Sequence, residues 1–143
     1  MMKRLLAGIS VALLAIFAVA CGSNGAAKQS SSNGSKIQVV GGNKVSVQSI
    51  INNPAVDPHD YEPTTKVGKS VASADLVVAS GIGYDGWMDK VVKSADKSKN
   101  YLRVADDLMN KKEGDNEHIW YDPRTMPKLA NTLADKFAKK DPA

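Results

Sequence analysis

The sequence is poor in cysteine. Cys21 is the only cysteine among 143 residues, so no disulfide can form within the chain. An exported fold built from this sequence must therefore rely on its hydrophobic core alone.

The chain also lacks a strong excess of charge of either sign. Its formal net charge is +4, and two of those charges belong to Lys3 and Arg4 near the start. The remaining lysines are scattered among acidic residues, and no basic stripe with interleaved aromatic residues is present. We therefore expect no nucleic-acid partner.

No apolar run is long enough to span a bilayer. The longest, Leu5–Ala20, contains 16 residues without a charge. A helix of that length rises roughly 24 Å, which is short of the ~30 Å hydrocarbon core. Positive residues precede the run, and the small residues Ala18–Ala20 end it directly before Cys21. This pattern predicts a cleaved secretory signal peptide over residues 1–20.

The end of the leader resembles a bacterial lipobox, although Ala18 occupies the position where leucine is usual. In that class the cysteine receives two acyl chains on a diacylglyceryl group, and two chains are sufficient for stable anchoring. We therefore expect lipidation (palmitate) of Cys21 and a location at the extracytoplasmic face of the cell membrane. An ordinary secreted protein with a chance cysteine is the alternative. Residues 22–35 are rich in Ser, Gly and Asn, which predicts that 21–35 form a flexible tether.

The remaining residues, 36–143, are predicted to form one α/β domain. Apolar alternation and short apolar runs predict strands at Lys36–Val40, Lys44–Ile51, Asp75–Ala79 and Tyr101–Ala105. Helices are predicted from about Thr65 to Ala74 with Thr64 as cap, from Asp85 to Ser94, and from about Arg124 to Lys139. Short strands alternating with helices indicate a parallel sheet with helical crossovers.

Only two histidines occur, and both lie among carboxylates and prolines. His59 is in the segment DPHDYEP and His118 is in NEHIWYDP. Each lies in a loop reached from the end of a predicted strand, where ligands bind in open α/β sheets. Imidazole is the commonest protein ligand for zinc. Nearby carboxylates can bind the metal themselves or orient the imidazoles that do. Three are candidates for the orienting role: Glu62, Glu117 and Asp122. The residues alone leave open whether these histidines are metal ligands or surface residues.

Two long motifs resemble the metal-binding solute-binding lipoproteins of zinc and manganese ABC importers. DPHDYEPT, followed by a helix and ADLVVASGIGYDGWMDKVV, is similar to the N-terminal lobe of that family, and HIWYDPRTMPKLANTLADKF is similar to its second motif. The resemblance covers roughly residues 41–143. It implies a two-lobed periplasmic-binding-protein-like fold with the metal between the lobes. It also implies that His59 and His118 are metal ligands, that zinc or manganese is carried as substrate to a membrane permease, and that no reaction is catalysed.

The sequence departs from this family at two places. The chain stops at Ala143, where family members continue into a connecting helix and a C-terminal lobe. We therefore expect the N-terminal lobe only, and weaker metal capture than in a complete member. The other departure is the short link between Lys36–Val40 and Lys44–Ile51, because a parallel crossover takes a dozen or more residues. This predicts that the first βα crossover is missing. We expect either an antiparallel hairpin across Gly41–Lys44 or an unpaired first strand.

Two other functions fit some of the same residues. A small metallohydrolase would use both histidines with Glu62 or Glu117 as base, but the chain has neither an HExxH helix nor a third histidine. A surface lipoprotein with an adhesive or structural role is the other alternative. The identity of the metal also stays open. The stretch Met109–Glu117 has no histidine, which disfavours one zinc subtype without establishing manganese.

Overall fold

Two short parallel strands lie at the centre of the fold. The computed structural model describes residues 40–142. The predicted signal peptide, Cys21, the tether and all but the last residue of the predicted strand Lys36–Val40 lie outside the described residues. Strand β1 (Val77–Ala79) pairs with β2 (Tyr101–Arg103) in parallel, with Val78 opposite Leu102. The predicted parallel α/β arrangement is confirmed.

Three α-helices that lie wholly within residues 40–142 surround the strands, close to the predicted bounds. They are α1 (Thr65–Ser73), α2 (Trp87–Ser94) and α3 (Thr125–Lys140). The hydroxyl of Thr64 accepts the N–H of Val67, so Thr64 caps α1 as predicted. Shorter helical turns are Gly42–Lys44, Ser98–Asn100 and Ile119–Tyr121 (3₁₀), and Val104–Leu108 (π).

The helices cover both faces of the strand pair. On one face, Val77 and Ala79 pack with the buried residues of α1 and α2. On the other, Leu102 packs with the fully buried Leu129 and Leu133 of α3. Residues alternate between the faces because successive side chains of a strand point in opposite directions. This arrangement brings the loops that follow each strand to one end of the sheet.

The prediction of a strand at Lys44–Ile51 is wrong. Val45 is extended, and burial alternates from Val45 to Gln48 as the sequence pattern suggested, yet these residues form no strand. A strand requires a neighbour to bond with, and within residues 40–142 the sheet contains only β1 and β2. Gly42–Lys44 form a 3₁₀ turn, and the first strand of the hairpin expected across Gly41–Lys44 lies outside the described residues except for Val40.

Strand β2 ends two residues earlier than predicted. The N–H of Arg103 donates to the Asp107 carboxylate, and the N–H of Ala105 donates to the carbonyl of Ser80. These bonds turn the chain into the π turn at Val104–Leu108. Within residues 40–142, no helix has both the length and the apolar character needed to cross a bilayer.

Candidate metal site

The loop carrying His59 is closed by the side chain of Asp57. Asp57 Oδ1 accepts the backbone N–H of His59 at 2.9 Å and lies 2.9 Å from its ring Nδ1. Such Asx turns are a frequent local structure for Asp and Asn in loops. Because a carboxylate oxygen accepts hydrogen bonds, Nδ1 is the donor, and the ring is held by its Nδ1 edge.

Helix α2 holds this loop in place. The indole Nε1 of Trp87 donates to the carbonyl of Pro58 at 2.9 Å. The ring of Tyr61 contacts the ring of Trp87 with a centroid separation of 4.7 Å. Pro58 and Tyr61, on either side of His59 in the sequence, therefore both contact Trp87, the first residue of α2.

His118 is held by the same device. Asn116 Oδ1 accepts the backbone N–H of His118 at 2.9 Å and lies 3.0 Å from its ring Nδ1. The atom that accepts the backbone N–H must be the amide oxygen, so Nδ1 of His118 is again the donor. A neutral histidine protonated on Nδ1 has its lone pair on Nε2, the arrangement usual for a metal ligand.

A buried threonine connects the His118 segment to α3. The hydroxyl of Thr125, the first residue of α3, is fully buried and donates to the carbonyl of Ile119 at 2.7 Å. Its backbone N–H donates to the carbonyl of Asp122 at 3.0 Å. These two bonds attach the turn that follows His118 to the hydrophobic core.

A row of aromatic rings joins the two histidines. Tyr84, in the loop after β1, lies edge-on to His59 at 5.2 Å between ring centroids and edge-on to Trp120 at 5.0 Å. Trp120 lies edge-on to His118 at 5.2 Å. Edge-to-face contacts at these separations are favourable for aromatic rings. Burial raises the pKa of the Tyr84 hydroxyl, and the carboxylates of Asp85, Glu117 and Asp57 raise it further.

Glu117 contacts His59 rather than its neighbour His118. Glu117 Oε1 lies 2.8 Å from Nε2 of His59. With Asp57 at Nδ1 and Glu117 at Nε2, each ring nitrogen faces a carboxylate oxygen, which favours the protonated imidazole. The hydrogen bonds to Asp57 and then Glu117 raise the pKa of His59 above its usual value. The bonds from the backbone and ring of His59 lower the pKa of Asp57.

Neither of the other two predicted carboxylates hydrogen-bonds a histidine ring in the part of the chain that the structure describes. Glu62 is exposed. The carboxylate of Asp122 accepts from Arg124 Nε at 3.0 Å and from its terminal nitrogen at 2.6 Å, which holds the pKa of Asp122 well below its usual range. Within residues 40–142, no three His, Cys, Asp or Glu side chains are grouped so as to hold a metal ion. Asp57 and Glu117 approach His59 from opposite ring edges and do not converge.

The match to known proteins covers the described residues and a short stretch before them. The family model described as ZnuA, zinc-uptake complex component A, periplasmic, matches residues 33–143. The chain belongs to this family. The resemblance of the two histidine motifs is thereby confirmed.

Several curated proteins that are similar to this chain are streptococcal lipoproteins. The chain is similar to the manganese ABC transporter substrate-binding lipoprotein PsaA of Streptococcus pneumoniae, with 30% identity over 99% of this chain and 53% of that protein. It is also similar to the metal ABC transporter substrate-binding lipoproteins SsaB of Streptococcus sanguinis (30% identity, 94% of this chain, 51% of that protein) and SloC of Streptococcus mutans (34%, 72% and 38%).

The chain spans about half the length of the PsaA and SsaB proteins it matches. The alignment with PsaA runs over 168 positions, whereas this chain has 143 residues. At least 25 aligned positions therefore have no counterpart in this chain.

Sequence reasoning did not single out two residues of this candidate site. Asn116 holds His118, and Tyr84 joins the two histidine loops. A signal for Asn116 was present, because an Asp or Asn stands two residues before each histidine, in D-P-H and N-E-H. Tyr84 left no such signal, since its contacts join segments far apart in the chain.

Proposed function

We propose that this chain captures a divalent metal ion, zinc or manganese, outside the cytoplasm for an ABC importer, with His59 and His118 as ligands. The observation that carries the proposal is the shared anchoring of the two rings. Each has Nδ1 bonded to an Asx side chain two residues earlier, which directs Nε2 away from its own loop. Family membership supports the same function, since the relatives are named as substrate-binding lipoproteins of metal ABC transporters.

The donor atoms around the site suit both metals. Imidazole nitrogen suits zinc, and carboxylate oxygen suits manganese. Two imidazoles alone do not complete the four ligands of a tetrahedral zinc site, so further oxygen or nitrogen ligands are needed for tight binding. The site is one for holding and releasing the ion, with an ABC permease as the partner that receives it.

The same proposal covers the segments outside the described residues. Residues 1–20 are a signal peptide, residues 21–35 are a tether with lipid on Cys21, and residues 36–143 are the metal-binding domain. The tether holds the domain at the extracytoplasmic face of the cell membrane, beside the permease. The names of the relatives, which are lipoproteins, support this location.

Calorimetric titration of the purified chain with Zn(II) and Mn(II) tests the metal ligands. We expect His59→Ala and His118→Ala each to weaken binding by about tenfold or more, as loss of a ligand costs at least as much as loss of its orienting partner. Lys112→Ala, an exposed change in the loop before His118, is the control and should leave affinity unchanged. Undiminished binding by the double histidine variant would refute the proposal.

A further inference from the structure

A carboxylate joins the two histidine loops directly. Oε1 of Glu117 lies 2.8 Å from Nε2 of His59, although the two residues are 58 apart in the sequence. Nδ1 of His59 is already bonded to Asp57. Glu117 thus faces the one ring nitrogen through which His59 can bind a metal.

We propose that Glu117 is itself a metal ligand, whose carboxylate oxygen binds the same divalent cation as Nε2 of His59. The inference rests on the proposed function, because it assigns an additional ligand to that site. It goes beyond the two histidines by supplying an anionic oxygen from within residues 40–142.

The observed separation is close to the one that a shared metal requires. Zinc lies about 2.0–2.1 Å from imidazole nitrogen and about 2.0–2.2 Å from carboxylate oxygen. Two such ligands at a tetrahedral angle are about 3.3 Å apart. This is about 0.5 Å longer than the observed 2.8 Å, and for a cation to take the place of the proton Glu117 Oε1 must also turn away from the direction of the Nε2 lone pair.

Electrostatics favours a cation between these two groups. When Nε2 binds a metal it loses its proton, and its lone pair would then face the negative oxygen of Glu117. A dication placed between them removes that repulsion and is neutralised in part by the carboxylate. The Glu117 side chain is only 26% exposed, so solvent screens this attraction incompletely.

The residues on either side of Glu117 hold its backbone beside His118. Asn116 immediately before it bonds both the backbone and the ring of His118 immediately after it. The backbone of Glu117 is thus enclosed in the turn that positions His118. A carboxylate placed in this way remains near the metal when the metal binds.

If Glu117 competes with the metal for His59 instead of binding the metal, its removal should change metal affinity in the opposite direction. If Glu117 merely occupies Nε2 of His59 and is expelled by the metal, its removal relieves competition and tightens binding. If Glu117 is a ligand, its removal weakens binding. The sign of the change in affinity therefore decides between the two roles.

Calorimetric titration of Glu117→Gln with Zn(II) and Mn(II) gives that sign. Glutamine keeps the size and an acceptor oxygen but removes the negative charge. We expect binding to weaken by about tenfold or more. Glu113→Gln, the same change at an exposed position of the same loop, should leave affinity within about twofold of the unmodified chain. Tighter or unchanged binding by Glu117→Gln would overturn the inference.

A spectroscopic experiment separates direct binding from an indirect effect. In a Cys21→Ser background, Glu117→Cys places a thiol at the proposed ligand position, with Glu113→Cys as the matched control. On addition of Co(II) we expect the near-ultraviolet charge-transfer absorption of a cobalt-bound thiolate for Glu117→Cys only. Bound Co(II) without that absorption would contradict direct binding.

The outcomes distinguish this inference from the proposed function. If the unmodified chain binds no Zn(II), Mn(II) or Co(II), or if the double histidine variant binds as tightly as the unmodified chain, the proposed function fails and the Glu117 assignment fails with it. If binding depends on His59 and His118 but not on residue 117, only the Glu117 assignment fails.

Discussion

At the scale of single residues, the nitrogen that each histidine presents is decided by an Asx side chain two positions earlier. Asp57 and Asn116 each bond the backbone and Nδ1 of their histidine with one oxygen atom. The loops differ in charge, since Asp57 is a carboxylate and Asn116 a neutral amide. His59 has a second carboxylate at Nε2, so its surroundings favour the protonated ring more than those of His118 do.

The pKa of His59 tests this arrangement. We expect an NMR titration of the metal-free chain to give a pKa above the usual 6.5, because the hydrogen bonds to Asp57 and Glu117 favour the protonated ring. Asp57→Asn keeps an acceptor oxygen but removes a charge, and should lower this pKa. The contacts of the imidazolium stabilise the fold fully below the unfolded-state pKa, and this stabilisation is lost as pH rises through the raised folded-state pKa.

Asp60→Asn is the control for this titration. Asp60 is exposed and follows His59 in the sequence, but it does not contribute to the shift of the His59 pKa. The same pKa in Asp57→Asn as in the unmodified chain would show that the Asp57 contact does not form in solution.

At the scale of secondary-structure elements, each site loop is attached to a helix. Trp87, at the start of α2, bonds the loop of His59 through the carbonyl of Pro58. Thr125, at the start of α3, bonds the turn after His118 through the carbonyl of Ile119. The burial of α3 by Leu129 and Leu133 therefore also positions the His118 segment.

Replacement of Thr125 by valine tests the attachment to α3. Thr125→Val keeps the shape but leaves the Ile119 carbonyl without its buried donor, so we expect the free energy of unfolding to fall by about 1–3 kcal/mol. Urea denaturation measures this change. Thr132→Val, the same substitution at a half-buried position of α3, is the control and should change stability much less. Equal losses in the two variants would show that the hydroxyl bond contributes nothing specific.

At the scale of the whole molecule, the candidate site is assembled from three separate segments. The first carries His59 before α1, the second carries Tyr84 after β1, and the third carries Glu117 and His118 before α3. The parallel strands place the loop after β1 beside the other two, and the row of rings fills the space between the histidines. Under the proposed function, delivery of a captured ion requires that the domain stay near the permease.

The proposed lipid anchor is tested on the whole exported chain. Expressed in a bacterial host, the unmodified chain should incorporate labelled palmitate and sediment with the membrane fraction. Cys21→Ser should abolish both, because the chain has no other cysteine to receive lipid. Ser23→Ala, a small change two residues further on, should leave both unaltered. Membrane association of Cys21→Ser equal to that of the unmodified chain would exclude the anchor.

The sequence predicted the features that depend on neighbours along the chain. The cap at Thr64, the helix periodicity that buries Leu129 and Leu133, and the two histidine motifs were all predicted from local pattern, since a helix and a turn are closed by residues a few positions apart. The strand predicted at Lys44–Ile51 failed for the complementary reason. Its alternation is real, but a strand exists only where another strand bonds to it.

The sequence alone therefore shows both histidines and the Asp or Asn two positions before each of them. It also shows the leader pattern before Cys21 and indicates the α/β class. Only the tertiary structure decided that Glu117 bonds His59 across 58 residues, that Tyr84 lies between the two loops, and that Asp122 is engaged by Arg124. Contacts between distant segments depend on how the sheet and helices pack, and no local pattern in the chain encodes that packing.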